Sequence, residues 1–280
     1  RERGLLDWQL NGDAITLHDA LAACGADVDA IARQEKLFNP ADVCAYVELH
    51  IEQGPVMVAR DIPVAVVSGI RGNVRHNKIE CWGEAQHSGV VPRWLRKDAV
   101  FAISDLVVRL DNHWRALLER GSDLVVTCGV VQTNPVEHSI SRVPGYAHFS
   151  FEARSKSSDT LEAFYQLVQA EMASIERERG VKFVLDRRLL SEPAVCDAQL
   201  CDVMAKACRE RGVAHERIPS GAGHDAALFA NGGIPSAMVF VRNQNGSHNP
   251  HEAMELSDFM LGTQVMADTI AAITPRTASL

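Results

Sequence analysis

What this 280-residue sequence lacks excludes several classes of protein. No run of about 18 apolar residues occurs, so no transmembrane helix is predicted. The formal net charge of -8 argues against non-specific binding to nucleic acid or to an anionic membrane. With 46% hydrophobic and 23% charged residues, the composition is that of an ordinary globular protein, long enough for two domains.

The cysteines provide no obvious metal or disulfide framework. There are seven of them, an odd number, and no two form a CxxC pair. Most lie among apolar residues, as Cys128 does in "VVTCGVV". This pattern indicates buried, reduced thiols and therefore a cytoplasmic protein. A zinc–cysteine site or a catalytic thiol is the alternative.

The middle third of the chain has a β-α-β-β-α-β pattern over about residues 72–190. This order is typical of the ferredoxin-like arrangement, in which two helices cover one face of a four-stranded antiparallel sheet. Alternating or apolar runs predict strands over 74–85, 123–133, 145–155 and 181–190, and helical spacing predicts helices over 94–120 and 157–180.

The segments on either side of this unit are predicted to be α/β. Before it, we expect short helices over 14–24 and 26–34, a strand over 44–52, and two short strands between residues 56 and 72. After it, we expect helices over 197–211 and 256–273 and a strand over 236–241. The fold class is therefore α/β with a ferredoxin-like insert.

Four of the eleven histidines lie in unusual settings: His50, His87, His224 and His248. Each lies beside glycine or small residues near a predicted strand end or turn. Histidine is the commonest metal ligand and acid–base group near neutral pH. There is no HExxH spacing, so the fold would have to assemble any metal site, and each histidine alone could be structural. His18, His113, His138 and His215 are predicted to lie at the surface.

Two further segments leave alternatives open. "SGAGHDA" could bind phosphate, but the chain has no GK[ST] or GxGxxG motif, and a Ser-His-Asp hydrolase using Ser220 would need a GxSxG elbow, which is absent. Arg154 lies on the polar face of a predicted strand, opposite Phe149 and Phe151. Its guanidinium could hold a carboxylate through two parallel hydrogen bonds, or it could lie on a solvated sheet face.

Five segments together resemble one family. The chain resembles the hydantoinase/carbamoylase-type amidohydrolases, which include N-carbamoyl-L-amino-acid hydrolase, β-ureidopropionase and allantoate amidohydrolase, within the dinuclear zinc metallopeptidase superfamily. The resemblance implies an α/β catalytic domain, residues 1–70 and 191–280, interrupted by a ferredoxin-like lid and dimerisation domain, residues 71–190. The segments are "ELHIEQGP", "GEAQHSGVVPRWLRKDA", "RVPGYAHFSFEAR", "SGAGHDA" and "GSHNPHEAME".

The resemblance also implies roles for individual residues. His50 and His248 correspond to ligands of two different metal ions, and His87 to the lid histidine that contacts the substrate or polarises the scissile group. The residues that correspond to substrate contacts are Gln53, Arg154, Ser220, Gly221, Gly223 and His224, with Asp225 in the same turn. The implied ions are two zinc ions, with manganese or cobalt as alternatives.

The function that the resemblance implies is metal-dependent hydrolysis of a linear amide or ureido C–N bond. The implied substrate is a small carboxylate, first of all an N-carbamoyl-L-amino acid, and the implied assembly is a homodimer formed through the lid. An allantoate or ureidoglycolate amidohydrolase is one alternative. A non-catalytic lid and dimerisation protein is another. An aminopeptidase or aminoacylase of the superfamily fits the motifs less well.

The chain also departs from the family pattern. The HxD histidine, the bridging aspartate and the Glu-Glu pair that precede "ELHIEQGP" in the family have no counterpart among the 49 residues before His50. We therefore expect a fragment of a longer enzyme, one that binds zinc weakly and lacks carbamoylase activity. Ser141 stands where relatives often have an asparagine linked to substrate contact.

Overall fold

The computed structural model describes residues 15–35 and 39–273. The chain divides into two compact units, residues 1–43 and residues 44–280. The first unit contains helices α1 (Leu17–Ala23) and α2 (Val28–Ala32). Thr16 caps α1 by accepting a hydrogen bond from the Asp19 N–H, and Asp27 caps α2. Both predicted helices are therefore present, although residue 14, the predicted start of the first, lies outside the described residues.

The second unit contains the remaining elements. In chain order they are β1 (Tyr46–Ile51), α3 (Val56–Ala59), β2 (Val64–Ile70), β3 (Gly72–Trp82), β4 (Gln86–His87), α4 (Ala99–Glu119), β5 (Val125–Thr127), β6 (Val131–Thr133), β7 (Arg142–Val143), β8 (Tyr146–Ser155), α5 (Ser158–Arg179), β9 (Lys182–Leu185), β10 (Leu189–Ser191), α6 (Ala198–Glu210), β11 (His215–Ser220), α7 (Asp225–Asn231), β12 (Ser236–Val241) and α8 (Leu256–Ile273). These elements form two larger sheets and one two-stranded ribbon.

The first sheet has four strands in the order β1-β12-β2-β11. β12 is parallel to β1 and antiparallel to β2, and β11 is parallel to β2. All six residues of β12 are buried, as expected for a central strand covered by helices on its faces. α6, α7 and α8 pack against this sheet and close its apolar core.

The second sheet confirms the predicted ferredoxin-like arrangement. β3 and β8 are the two central strands and pair with each other. β9 and β10 pair with the other edge of β3, and β5 and β6 pair with the other edge of β8. All these pairings are antiparallel. If β5 with β6 and β9 with β10 are each taken as one interrupted strand, the spatial order of the four strands is 4-1-3-2. Phe149, Phe151 and Ala153 point into the core formed with α4 and α5.

Three of the predicted strands are wrong in detail. The strand predicted over 123–133 is divided into β5 and β6. Between them, the Val130 N–H donates a hydrogen bond to the Ser150 side-chain oxygen at 3.0 Å instead of to a backbone carbonyl. The strand predicted over 181–190 is likewise divided into β9 and β10. The first short strand predicted after residue 56 is helix α3, because the Glu52 carboxylate accepts the first free N–H groups of that turn, from Val56 and Met57.

The surface predictions are partly wrong. Cys24 and Cys44 are exposed, since each lies just outside a helix or strand, whereas four of the other five cysteines are buried. Among the histidines, His113 and His215 are half-buried rather than exposed. In the described ranges, we find no helix with the length and apolar character needed to cross a membrane. The domain boundaries at residues 70 and 190 stay a prediction.

Candidate metal and substrate site

A cavity of about 530 Å³ opens at the carboxyl end of β1. His50, the next-to-last residue of that strand, and His248, from the loop after β12, both line it. The structure thus places these two histidines, 198 residues apart in the chain (248 minus 50), at one cavity. The remaining lining residues are Leu49, Ile51, Gln53, Val241, Ser247, Glu252, Met254 and Phe259.

Gln53 and His248 contact each other across this cavity. The Gln53 Nε2 and His248 Nε2 atoms lie 3.2 Å apart, and Gln53 Nε2 also donates to Ser247 Oγ at 3.2 Å. Both residues have a left-handed backbone, with φ of 62° at Gln53 and 61° at His248. Residues other than glycine adopt this conformation at a cost, and such strain concentrates at functional sites.

Asn243 holds this strained arrangement in place. Its side chain is buried, its Oδ1 accepts the Gln53 N–H at 2.9 Å, and its Nδ2 donates to the Gly246 carbonyl at 2.7 Å. A single amide therefore joins the loop after β1 to the loop after β12. Glu252 fixes the second loop further, since its carboxylate accepts the His248 N–H at 3.0 Å.

His224 lies on the other side of His50. The two imidazole rings are 4.6 Å apart between centroids and nearly perpendicular, at 70°. His224 immediately precedes α7, and this helix is held against β1 by the stacking of Phe229 on Tyr46 at 4.0 Å. Glu48, two residues before His50 on the same face of β1, accepts the Ala226 N–H of α7 at 2.8 Å.

The electrostatics of His224 follow from its position. Burial, reinforced by the neighbouring His50 and opposed by Asp225, lowers the pKa of His224 to about 4. The ring is therefore neutral at pH 7. Its Nε2 lies 2.6 Å from Ser220 Oγ, whereas its Nδ1 is buried without a hydrogen-bond partner.

The "SGAGHDA" turn connects β11 to α7. Ser220 is fully buried, and its Oγ also lies 3.1 Å from both the N and the O of Ala222. Substrate cannot reach this hydroxyl, which argues against the serine-hydrolase alternative. Gly221 and Gly223 are exposed, and the carbonyl of Gly221 accepts a hydrogen bond from the ferredoxin-like unit.

Arg154 reaches this turn from β8. Its Nη1 donates to the Gly221 carbonyl, and its Nε and Nη2 donate to the Glu152 carboxylate at 2.9 and 3.0 Å. Burial by itself would raise the pKa of Glu152, but Arg154 and Arg75 lower it below its ordinary value. The Nε and Nη2 groups of Arg154 are thus already bound to the Glu152 carboxylate, and its Nη1 group faces the turn.

His87 has local contacts in the two-stranded ribbon formed by β4 and β7. It is exposed, its Nδ1 accepts the Gly89 N–H at 3.2 Å, and it pairs with Arg142. The Ser88 N–H donates to the Ser141 carbonyl at 2.8 Å, so His87 and the variant position Ser141 lie close together. The contacts of the described residues do not connect His87 with the His50 cavity, and its catalytic role stays a prediction.

The donor atoms near His50 fit a divalent metal ion. The His50 Nδ1 lies 2.8 Å from the Ile51 carbonyl and so carries the proton, which leaves Nε2 with a lone pair. One donor atom each from Glu48, His50 and His224 lie within 4.8 Å of one another. Imidazole and carboxylate donors suit zinc and its neighbours in the first transition series. The number and identity of the ions stay a prediction.

Sequence reasoning missed Glu48, Asn243 and Glu252. Glu48 was detectable, because residues two apart on a strand share a face and His50 was already a candidate. Asn243 and Glu252 had no signal in the sequence, since their importance arises from loops that meet only in the folded chain.

The comparisons with known proteins agree with this architecture. The sequence profile of peptidase family M20/M25/M40 matches residues 20–272. Over 261 residues the chain is 30% identical to an N-carbamoyl-L-amino acid amidohydrolase of Geobacillus stearothermophilus, covering 93% of the chain and 61% of that protein. Over 250 residues it is 31% identical to an allantoate amidohydrolase of Escherichia coli (strain K12), covering 89% of the chain and 58% of that protein.

A solved structure gives the same result. The crystal structure of an amidase of the hydantoinase/carbamoylase family from Burkholderia phymatum is similar at a TM-score of 0.78 and 28% identity, covering 94% of the chain and 62% of the amidase. The chain spans less than two thirds of the length of each of these three proteins. The predicted resemblance and α/β fold class are confirmed. Because the profile match extends over nearly all its residues, the chain belongs to peptidase family M20/M25/M40.

Proposed function

We propose that the protein is a metal-dependent amidohydrolase that cleaves a ureido or linear amide C–N bond in a small carboxylate, with N-carbamoyl-L-amino acids as its substrates. The observation that carries this proposal is the shared cavity of His50, Gln53 and His248 in a chain of this family. The similar proteins named above act on N-carbamoyl-L-amino acids and on allantoate, both of which contain such a bond.

The chemistry divides between the metal and the side chains. A bound divalent ion lowers the pKa of water and polarises the carbonyl of the scissile group. His50 would hold one such ion and His248 a second, and the Gln53 amide, freed from His248, orients the ureido group. Addition of water to an N-carbamoyl amino acid and cleavage of the C–N bonds yield the amino acid, carbon dioxide and ammonia.

The carboxylate of the substrate is bound by the second sheet. Arg154 receives it on the Nη1 edge, which now faces Gly221, while Glu152 keeps the forked edge in position. His87 stabilises the oxygen that gains negative charge after the ribbon has moved toward the cavity. Gly221 and Gly223 let the substrate approach the backbone of the turn.

We also propose that the protein is a cytoplasmic homodimer. The seven free thiols are what a reducing compartment favours. Phe101 and Val108, two turns apart on α4, are 61% and 60% exposed, and Val131 on the edge strand β6 is 60% exposed. Exposed apolar side chains of this kind suit a contact with a second copy.

A substrate panel tests the function. The natural protein, with its metal content measured in the same sample, is assayed for ammonia release from N-carbamoyl-L-amino acids, allantoate and ureidoglycolate. Dipeptides and N-acetyl amino acids are the controls, and their hydrolysis is followed by the release of free amino acid. We expect turnover of the carbamoyl compounds and none of the controls. Turnover of allantoate or ureidoglycolate alone would favour the alternative substrate class. A metal-loaded protein that turns over no ureido compound would contradict the proposal.

A further inference from the structure

Two buried cysteines lie at the start of α6. Asp197 caps this helix by accepting the Leu200 N–H at 2.9 Å, so Cys196 is the residue before the cap and Cys201 is the fourth residue of the helix. Side chains at these two positions often pack against each other across the first helical turn. Apolar residues usually fill both positions, whereas here both side chains carry a thiol.

The two thiols interact with each other inside the first core. Cys196 and Cys201 are 6% and 4% exposed and belong to the same apolar cluster. A hydrogen bond between the thiols raises the pKa of Cys196, and burial raises it further. The same hydrogen bond lowers the pKa of Cys201; burial opposes this effect, and Arg217 reinforces it. Because the thiolate is the reactive form of cysteine, Cys201 is the nucleophile of the pair and Cys196 keeps its proton.

A groove at the protein surface leads to this pair. Its volume is about 450 Å³, and Cys196 lines it together with Ala230, Ile234 and Pro235. With so little of either side chain exposed, a bulky disulfide cannot reach the sulfur atoms. A hydroperoxide as small as hydrogen peroxide can pass along the groove and reach them.

The pair lies away from the proposed hydrolase site. The Asp197 N–H donates to the carbonyl of Ser236 at 2.8 Å, and Ser236 is the first residue of β12. His50 is near the end of β1, which runs parallel to β12. Cys196 and His50 are therefore at opposite ends of the first sheet.

We propose that Cys196 and Cys201 form a reversible oxidation site at which a small hydroperoxide converts the two thiols to a disulfide. The site uses none of the residues assigned to the hydrolase, so it does not rest on the proposed function. Disulfides of this kind in a reducing compartment are typically transient and redox-sensing.

The oxidation proceeds in two steps, written here for hydrogen peroxide. The Cys201 thiolate attacks one peroxide oxygen, and the O–O bond breaks. Cys201 becomes a sulfenic acid, and the other oxygen leaves as water with the proton that Cys201 had lost. The Cys196 thiol then attacks the Cys201 sulfur, the S–S bond forms, and the S–O bond breaks to release a second water with the Cys196 proton. Two thiols are oxidised, and one peroxide is reduced to two waters.

The test is treatment of the folded natural protein with hydrogen peroxide, followed by blocking of the remaining thiols and peptide mapping. Trypsin releases residues 189–206 as one peptide that contains both cysteines, and cleavage before Asp197 separates them. We expect this peptide to lose the mass of two hydrogen atoms. Its parts should stay joined after cleavage at Asp197, and dithiothreitol should restore both thiols.

Three variants distinguish the roles of the two thiols. Cys196→Ser should abolish the disulfide and leave a Cys201 sulfenic acid that dimedone labels. Cys201→Ser should leave Cys196 as an unlabelled thiol. Cys208→Ser, at another buried cysteine of α6 in the same core, is the matched control and should form the disulfide as the unchanged protein does.

Three results in the unchanged protein would overturn the proposal. In one, both thiols of residues 189–206 stay reduced while the exposed Cys24 and Cys44 are oxidised. In another, Cys201 is oxidised to the sulfinic acid and no disulfide forms. In the third, the disulfide forms only after the protein has been unfolded in urea, which would show that the folded structure does not bring the two sulfur atoms together.

Discussion

Arg154 of β8 donates a hydrogen bond to the carbonyl of Gly221, although 67 residues separate the two in the chain. The bond joins the ferredoxin-like unit to the turn that carries His224. A substrate carboxylate bound by Arg154 would therefore lie beside that turn. Arg154, the turn and His50 all belong to the compact unit of residues 44–280.

Replacing Arg154 by lysine tests this arrangement. In the natural protein, Arg154→Lys is expected to raise KM for an N-carbamoyl-L-amino acid about 10-fold or more, because a point charge cannot replace the planar guanidinium. Steady-state kinetics measure the effect. Arg75→Lys is the matched control, since Arg75 also pairs with Glu152, whereas the hydrogen bond to Gly221 comes from Arg154. Equal KM values for Arg154→Lys and the unchanged protein would remove Arg154 from the site.

The junction of the two sheets should not tolerate a side chain at Gly72. A Cβ there would lie 2.3 Å from the Ser191 carbonyl oxygen and 2.4 Å from the Pro193 nitrogen, both of them backbone atoms that cannot move freely. We expect Gly72→Ala to lower the free energy of unfolding by about 3 kcal/mol, as for severe overpacking. Urea denaturation measures it.

Gly129→Ala is the control for this substitution, because the nearest atom to its Cβ would be Ser150 Oγ at 3.7 Å, an ordinary contact. It should alter the free energy of unfolding by less than about 1 kcal/mol. If the two variants unfold at the same urea concentration, the close approach at Gly72 is not as the structure describes it.

Asp123 should make stability depend on acid pH. Burial by itself would raise the pKa of its carboxyl, but hydrogen bonds from Arg71 and from the Lys156 N–H lower it below 3.8. Because the folded pKa lies below the unfolded one, ionised Asp123 stabilises the fold above about pH 3.8. That contribution is lost as the pH falls through the folded pKa. Asp123→Asn should therefore lower the free energy of unfolding at pH 7 by about 2 kcal/mol.

The pH series distinguishes this cause from a general loss of packing. The stability difference between Asp123→Asn and the unchanged chain should be constant from pH 7 to pH 5 and shrink below about pH 3.8. Asp111→Asn, on the exposed part of α4, serves as the control and should show little difference at any pH. A difference for Asp123→Asn that persists at low pH would contradict the argument.

The proposed dimer predicts a concentration-dependent mass. Sedimentation of the unchanged chain should give twice the monomer mass, and the double variant Phe101→Glu/Val108→Glu should give the monomer, because charge in an apolar contact is strongly unfavourable. Val195→Glu, at a residue 77% exposed outside the ferredoxin-like unit, should leave the dimer intact. A monomeric unchanged chain, or a dimer that survives the double variant, would refute the contact.

The fold was more predictable than the site. "GYAHFSFEARS" alternates strictly, and the observed burial of Ala147, Phe149, Phe151 and Ala153 follows that alternation residue by residue. The breaks between β5 and β6 and between β9 and β10 were not predictable, because they depend on a side chain of the neighbouring strand or on a short loop. The helix that begins at Val56 depends on Glu52, whose carboxylate accepts the Val56 N–H. The segment is rich in residues that favour strands, and for that reason it was predicted to be a strand.

The sequence by itself determined the β-α-β-β-α-β order of the middle third, the buried face of β8, and the candidacy of His50 and His248, because these properties depend on residue type and spacing along the chain. Only the tertiary structure decided which side chains lie in contact. Glu48 accepts a hydrogen bond from the Ala226 N–H, 178 residues later in the chain, and lies opposite the His224 Nδ1 atom. The pairing of distant side chains depends on strand order and loop path, which local periodicity does not encode.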